Sequence, residues 1–134
     1  MSNSQSTIDE NRSRFFAVVA ARAADAKKAI NPLVLDVGDL LSITEAFVIV
    51  SASNSRLVAS IAEEVEKEVK KAGGPGPKRI EGRQDASWIL MDYGDFVVHV
   101  FLEETRDFYN LEKLWADCPR IDWQAADQAK VVND

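Results

Sequence analysis

Two side chains stand out as candidates for nucleophilic or proton-transfer chemistry: the single histidine, His99, and the single cysteine, Cys118. A thiol works as a nucleophile when a base sits within hydrogen-bond reach of it. The pattern places His99 in a strand and Cys118 past a helix, so nothing in the spacing pairs them. Cys118 reads more simply as a small buried hydrophobe. A closed zinc site takes four Cys or His ligands, which one of each cannot fill. Asp92 and Asp95 flank a turn and would suit a cation, yet turns favour Asp and Gly for conformational reasons alone. Gly73-Gly74-Pro75-Gly76-Pro77 resembles a phosphate loop only superficially. It follows a helix instead of opening one, so no helix N-terminus is aimed at an anion. The sequence shows no Walker, Rossmann or nucleophile-elbow pattern. These residues describe a binding module with no catalytic residues, no metal and no cofactor.

The stretch that must position His99 runs from Trp88 to Trp115. Apolar residues fill Trp88–Met91 and Phe96–Leu102, and Asp92-Tyr93-Gly94-Asp95 interrupts them. This predicts a hairpin turning at Gly94-Asp95. Pairing about that turn puts Ile89, Met91, Tyr93, Phe96, Val98 and Val100 on one face, which should meet the core. The opposite face carries Trp88, Leu90, Asp92, Val97, His99 and Phe101. Such a mixed face is either covered by another element or meets a partner. Asp92 and His99 are candidates for a mutual hydrogen bond. Beyond the hairpin, a helix is expected from Thr105 or Arg106, with Phe108, Leu111, Leu114 and Trp115 as one apolar stripe. Tyr109 and Glu112 flank the stripe. Arg106 is placed to pair with Asp92, to reach a backbone carbonyl, or simply to begin the helix. Cys118-Pro119 ends it.

Earlier in the chain, Thr7-Ile8-Asp9-Glu10 has capping-box spacing, with Thr7 as N-cap after a frayed Met1–Ser6. A helix should follow to about Ile30 on a stripe of Phe16, Val19, Ala20, Ala23 and Ile30, closed by Asn31-Pro32. Leu33–Val37 reads as a short strand. The unbroken apolar run Ala46–Ala52 suits a central strand buried on both faces. Ser53-Asn54-Ser55 offers N-caps for a helix to about Ala72, with Leu57, Ile61, Val65 and Val69 recurring every fourth residue. Lys78–Gly82 reads as another strand. Past Pro119 the chain reads as a tail carrying Trp123 and Val131-Val132. The whole is an α/β fold, a mixed sheet of about five strands with packed helices. It forms a single domain, 1–118 including the N-terminal helix, followed by a C-terminal tail, 119–134.

The 134 residues carry a net charge of −6. Nucleic acid is bound by clustered Lys and Arg, so direct nucleic-acid binding is not expected, and a basic protein is the easier partner. The segment 103–127 sharpens this, with Glu103, Glu104, Asp107, Glu112, Asp117, Asp122 and Asp127 against Arg106, Lys113 and Arg120. An ordinary solvated face would read the same way. No apolar run reaches membrane-spanning length. The first residues read as neither a secretory nor an organelle-targeting segment. One cysteine fits a reducing, cytoplasmic setting.

Two segments, Trp88-Ile89-Leu90-Met91-Asp92-Tyr93-Gly94-Asp95-Phe96-Val97-Val98-His99 and Arg106-Asp107-Phe108-Tyr109-Asn110-Leu111-Glu112-Lys113-Leu114-Trp115, together resemble the ribosomal silencing factor family (RsfS, also called Iojap). The family's pattern is W-x-x-x-D-x-G-D-x-x-V-H followed by R-x-x-Y-x-L-E-x-L-W. Leu35-Asp36-Val37, Phe47-Val48-Ile49, Ser51-Ala52-Ser53 and Glu81-Gly82 also fit, so the resemblance runs from about Asp25 to Asp117. Thr44-Glu45-Ala46-Phe47 departs from the family's T-D-Y-F, and Ala86-Ser87 from its Gly-Glu-like pair. The resemblance implies a fold similar to nucleotidyltransferases without their catalytic carboxylates, and often a homodimer. It also implies a translation repressor that binds the large ribosomal subunit through ribosomal protein fourteen and blocks joining of the small subunit. On that reading Trp88, Asp92, Tyr93, His99, Arg106, Tyr109, Glu112 and Trp115 are the partner-binding candidates. A cryptic nucleotidyltransferase-like enzyme and a purely oligomeric scaffold are the rival classes.

Overall fold

The computed structural model describes residues 3–41 and 43–125. Its elements are α1 (Asn3–Ala26), β1 (Ile30–Asp36), β2 (Ala46–Ala52), α2 (Ser55–Lys71), β3 (Arg79–Glu81), β4 (Trp88–Asp92), β5 (Phe96–Leu102), α3 (Glu103–Tyr109), α4 (Leu111–Leu114) and β6 (Arg120–Ile121). Six strands form one mixed sheet in the order β3-β4-β5-β2-β1-β6. The β2–β5 pair is parallel, and the intervening α2 supplies the crossover that such a pair needs. The other pairings are antiparallel.

Helices α1 and α2 cover one face of the sheet. Phe16, Ala20, Ala24, Val58, Ile61 and Val65 of these helices pack with Val48, Val50, Ile89, Met91, Val98 and Val100 of the strands. The hairpin register is the expected one: Trp88 opposes Phe101, Leu90 opposes His99 and Asp92 opposes Val97. With two residues in the turn, the apolar set Ile89, Met91, Tyr93, Phe96, Val98 and Val100 all joins this core. Strand β2 is buried on both faces, as its apolar run requires. Asn54 caps α2 by accepting a hydrogen bond from the Leu57 N–H at 2.8 Å.

Three expectations change. Helix α1 begins at Asn3, which makes Thr7 an interior position and not the N-cap. The same helix ends at Ala26, four residues before Ile30, because Lys28 turns the chain through a left-handed conformation (φ 65°). Asn31-Pro32 then lies inside β1, at a break in the pairing register between Ile30 and Leu33. A proline is tolerated at such a break, where the ladder asks for no N–H. Finally, the predicted 105–115 helix is two pieces, since Asn110 sits in the left-handed region (φ 48°) between α3 and α4. Beyond Pro119 the chain adds β6 alongside β1, and the Trp123 indole donates to the Pro32 carbonyl at 2.9 Å. Val131-Val132 lies outside the described residues.

Candidate partner-binding surface

The second face of the sheet carries a smaller cluster: Leu35, Val37, Ile49, Phe101 and Cys118, with Phe47, Trp88, Leu111 and Trp115 packed against it. Helices α3 and α4 cover only part of this face. Where they stop, an open cleft remains, bordered by Ile43, Phe47, Leu90, Asp92, Val97 and His99. The mixed hairpin face is therefore covered at the Trp88–Phe101 end and open at the Asp92–Val97 end.

His99 sits at the boundary, 5% exposed. The Trp88 indole N–H donates to His99 Nδ1 at 3.2 Å, and Phe47 meets the imidazole edge-to-face at 5.0 Å between ring centres. A donor-only indole on Nδ1 places the proton of the neutral ring on Nε2. Burial pushes the His99 pKa down to about 4, so the ring is neutral at physiological pH. Nε2 is buried and has no hydrogen-bond partner among the described residues. The expected Asp92–His99 bond is not formed. Asp92 Oδ1 instead accepts from the Gly94 N–H at 2.8 Å, and Oδ2 lies 3.5 Å from Arg79 Nη2. Asp92 closes the turn beneath it, which is the ordinary work of an aspartate two residues before a glycine.

Arg106 does not reach Asp92 either. Its guanidinium is buried on the second face near the far end of β2. Nη1 donates to the Ile30 carbonyl at 2.9 Å and to Ser51 Oγ at 3.1 Å. Nη2 donates to the Asn31 carbonyl at 2.8 Å, and Nε to Glu112 Oε2 at 2.9 Å. Arg106 thus ties together two carbonyls at the irregular start of β1, and Glu112 neutralises it. Both residues brace the start of β1, with Arg106 buried and Glu112 partly exposed.

Tyr93 is also inside. It faces the α1–α2 core, stacked on Phe96 at 4.4 Å, and is 3% exposed. Burial raises its phenol pKa, with Glu66 adding to the effect. Trp115 is half-buried with its ring edge-to-face on Phe47 at 5.5 Å. Cys118 is packed in the second cluster, and burial pushes its thiol pKa up, away from the thiolate form that nucleophilic attack uses. Among the described residues no group of three or more His, Cys, Asp or Glu is arranged to hold a metal ion.

The structure brings Trp88 and Tyr109 together at the surface, with ring centres 4.8 Å apart. Tyr109 is exposed, and so are two residues of the apolar stripe that helical periodicity predicts. Phe108 is 80% exposed and Leu114 is 70% exposed. The break at Asn110 rotates α4 relative to α3, so Leu111 and Trp115 pack inward while Phe108 and Leu114 do not. Leu40 and Ile43 are exposed on the loop before β2. The one signal for this was Asn110 itself, a residue that tolerates the left-handed conformation at helix ends.

The family model described as "Ribosomal silencing factor during starvation" matches residues 10–134. The chain is 40% identical over 104 residues to the ribosomal silencing factor RsfS of Bacillus subtilis, covering 78% of this chain and 87% of that protein. It is 34% identical over 84 residues to a mouse protein named for mitochondrial assembly of the ribosomal large subunit, covering 61% of this chain and 37% of that protein. A crystal structure from Chromobacterium violaceum is similar with a TM-score of 0.72 and 32% identity, covering 75% of this chain and 83% of that one.

Proposed function

Because this chain belongs to the RsfS family of ribosomal silencing factors, we propose that it represses translation by steric obstruction. It binds the large ribosomal subunit through ribosomal protein fourteen and keeps the small subunit from joining, acting in the cytoplasm and as a homodimer. The observation that carries this reading is the exposed Phe108–Tyr109 pair against the half-buried Trp88, on the same side of the sheet whose other end α3 and α4 leave uncovered. Exposed aromatics next to an apolar face are the usual anchors of a protein interface. The net charge of −6 favours a basic protein over a nucleic acid as the surface met. A large-subunit partner is in keeping with the mouse relative's name. The test is subunit joining: purified large and small subunits are mixed with increasing protein and resolved on a sucrose gradient. The joined fraction should fall as protein is added. An unchanged fraction at saturating protein overturns the proposal.

A further inference from the structure

We propose that the notch between the end of the hairpin and α3 receives a lysine or arginine side chain of the ribosomal protein partner. This rests on the reading of the protein as a large-subunit binder and specifies what that surface takes. The notch is lined by Ser87, Trp88, Glu104, Thr105, Phe108 and Tyr109. Its walls are aromatic: the Trp88 and Tyr109 rings lie 4.8 Å apart, and Phe108 stands edge-to-face to Tyr109 at 5.0 Å.

The charge around the notch is more one-sided than the sequence suggests. Arg106, the one base of α3, is buried and spent on Glu112, Ser51 and two backbone carbonyls. The acids that α3 shows to solvent are Glu103, Glu104 and Asp107, all exposed and, among the described residues, outside any salt bridge. An anionic occupant, whether carboxylate or phosphate, meets the Glu104 carboxylate in the lining, with Glu103 and Asp107 nearby on the same helix. A purely apolar side chain would fill the walls and leave Glu104 desolvated at the rim. A long cationic side chain satisfies both, laying its methylene stem or guanidinium plane on the rings with its charge at Glu104. The three acids also steer a basic surface toward the notch, an effect that weakens as salt rises.

The experiment is co-sedimentation with purified large subunits over a range of salt, using the wild-type chain, Phe108→Ala, Glu104→Lys and a control, Glu63→Lys. Glu63 is exposed on α2, which packs on the opposite face of the sheet. Phe108 and Glu104 are both exposed, so thermal unfolding should stay at the wild-type temperature and report an intact fold. Phe108→Ala and Glu104→Lys should each weaken binding about tenfold or more, and Glu104→Lys should flatten the salt dependence. Glu63→Lys should bind as wild type does. If the wild type binds and both notch variants bind equally well, the notch assignment falls while the silencing reading stands. If Glu63→Lys weakens binding as much as Glu104→Lys, the effect is diffuse charge and the notch assignment falls again. A wild type that does not co-sediment overturns the silencing reading, and the notch with it.

Discussion

Arg106 and His99 show how a motif residue that looks functional is spent inside the fold. Replacing Arg106 by Met removes the donor to the Asn31 carbonyl, Ser51 Oγ and Glu112, and leaves the Ile30 carbonyl with only the long hydrogen bond from Ser51 Oγ at 3.4 Å. Breaking such a buried, multiply bonded charge costs about 3 kcal/mol, to be read as a lowered urea midpoint for Arg106→Met. For His99 the prediction concerns pH. The pKa falls from 6.5 in the unfolded chain to about 4 in the fold, because burial disfavours the charged ring. The unfolded chain therefore binds the proton first. The stabilisation is fully present above pH 6.5 and is lost as pH falls from there toward 4. Since His99 is the only histidine, its share of the stability lost between pH 7 and pH 5 is about 2 kcal/mol. His99→Gln should lose that much less over the same interval in urea unfolding, whatever its stability at pH 7. Equal pH slopes for the two proteins would mean that His99 is not held neutral.

At the scale of elements, the part of the fold legible in the sequence is the part whose contacts are local or periodic. The apolar runs of β2, β4 and β5, with the Gly94-Asp95 turn between the last two, make their faces and nearly all their bounds legible, because a one-residue slip would turn every core residue outward. The capped, strongly periodic α2 was legible for the same reason. Helix α3 misled because periodicity assumes an unbroken axis, and one left-handed residue at Asn110 redirects Leu114 and isolates Phe108. Of the roles the sequence offers Arg106, the backbone carbonyl is the one realised, but which carbonyls could not be read because they are 75 and 76 residues away in sequence. The short β6 was missed because Arg120–Ile121 is too brief to show alternation, although its consequences are not small. Pro119 accepts from the Asp36 N–H at 2.8 Å, and Arg22 donates to the Trp123 and Ala125 carbonyls at 2.9 and 2.6 Å. Ile121 and Trp123 pack against the main core. Ending the chain at Cys118 removes all of these and reopens the β1 edge. The expected loss is about 3 kcal/mol, or roughly 10 °C in Tm for a chain of this size, measured by calorimetry on the truncated protein.

For the whole molecule, the proposed obstruction and catalytic turnover predict different behaviour. The functional residues of an enzyme converge on a site where charge develops in a transition state. Here the candidates diverge: Tyr93 faces the main core, Arg106 and Glu112 brace β1, Trp88 packs half-buried on the second cluster, and Phe108 and Tyr109 face outward beside it. A protein that acts by occupying space has a kinetic signature. Its effect depends on how many copies are bound, and not on how long they have been present. Inhibition of subunit joining should therefore titrate against large subunits, reaching its end point when every large subunit carries its complement of the protein. Longer incubation at a sub-stoichiometric amount should not deepen it. Washing the protein away in high salt should restore joining fully, because screening loosens an interface steered by Glu103, Glu104 and Asp107 and leaves the subunit chemically unaltered. Inhibition that grows with time at a small fraction of the subunit concentration, or that survives the wash, would show a subunit changed by catalysis and would end the account of this protein as an obstacle.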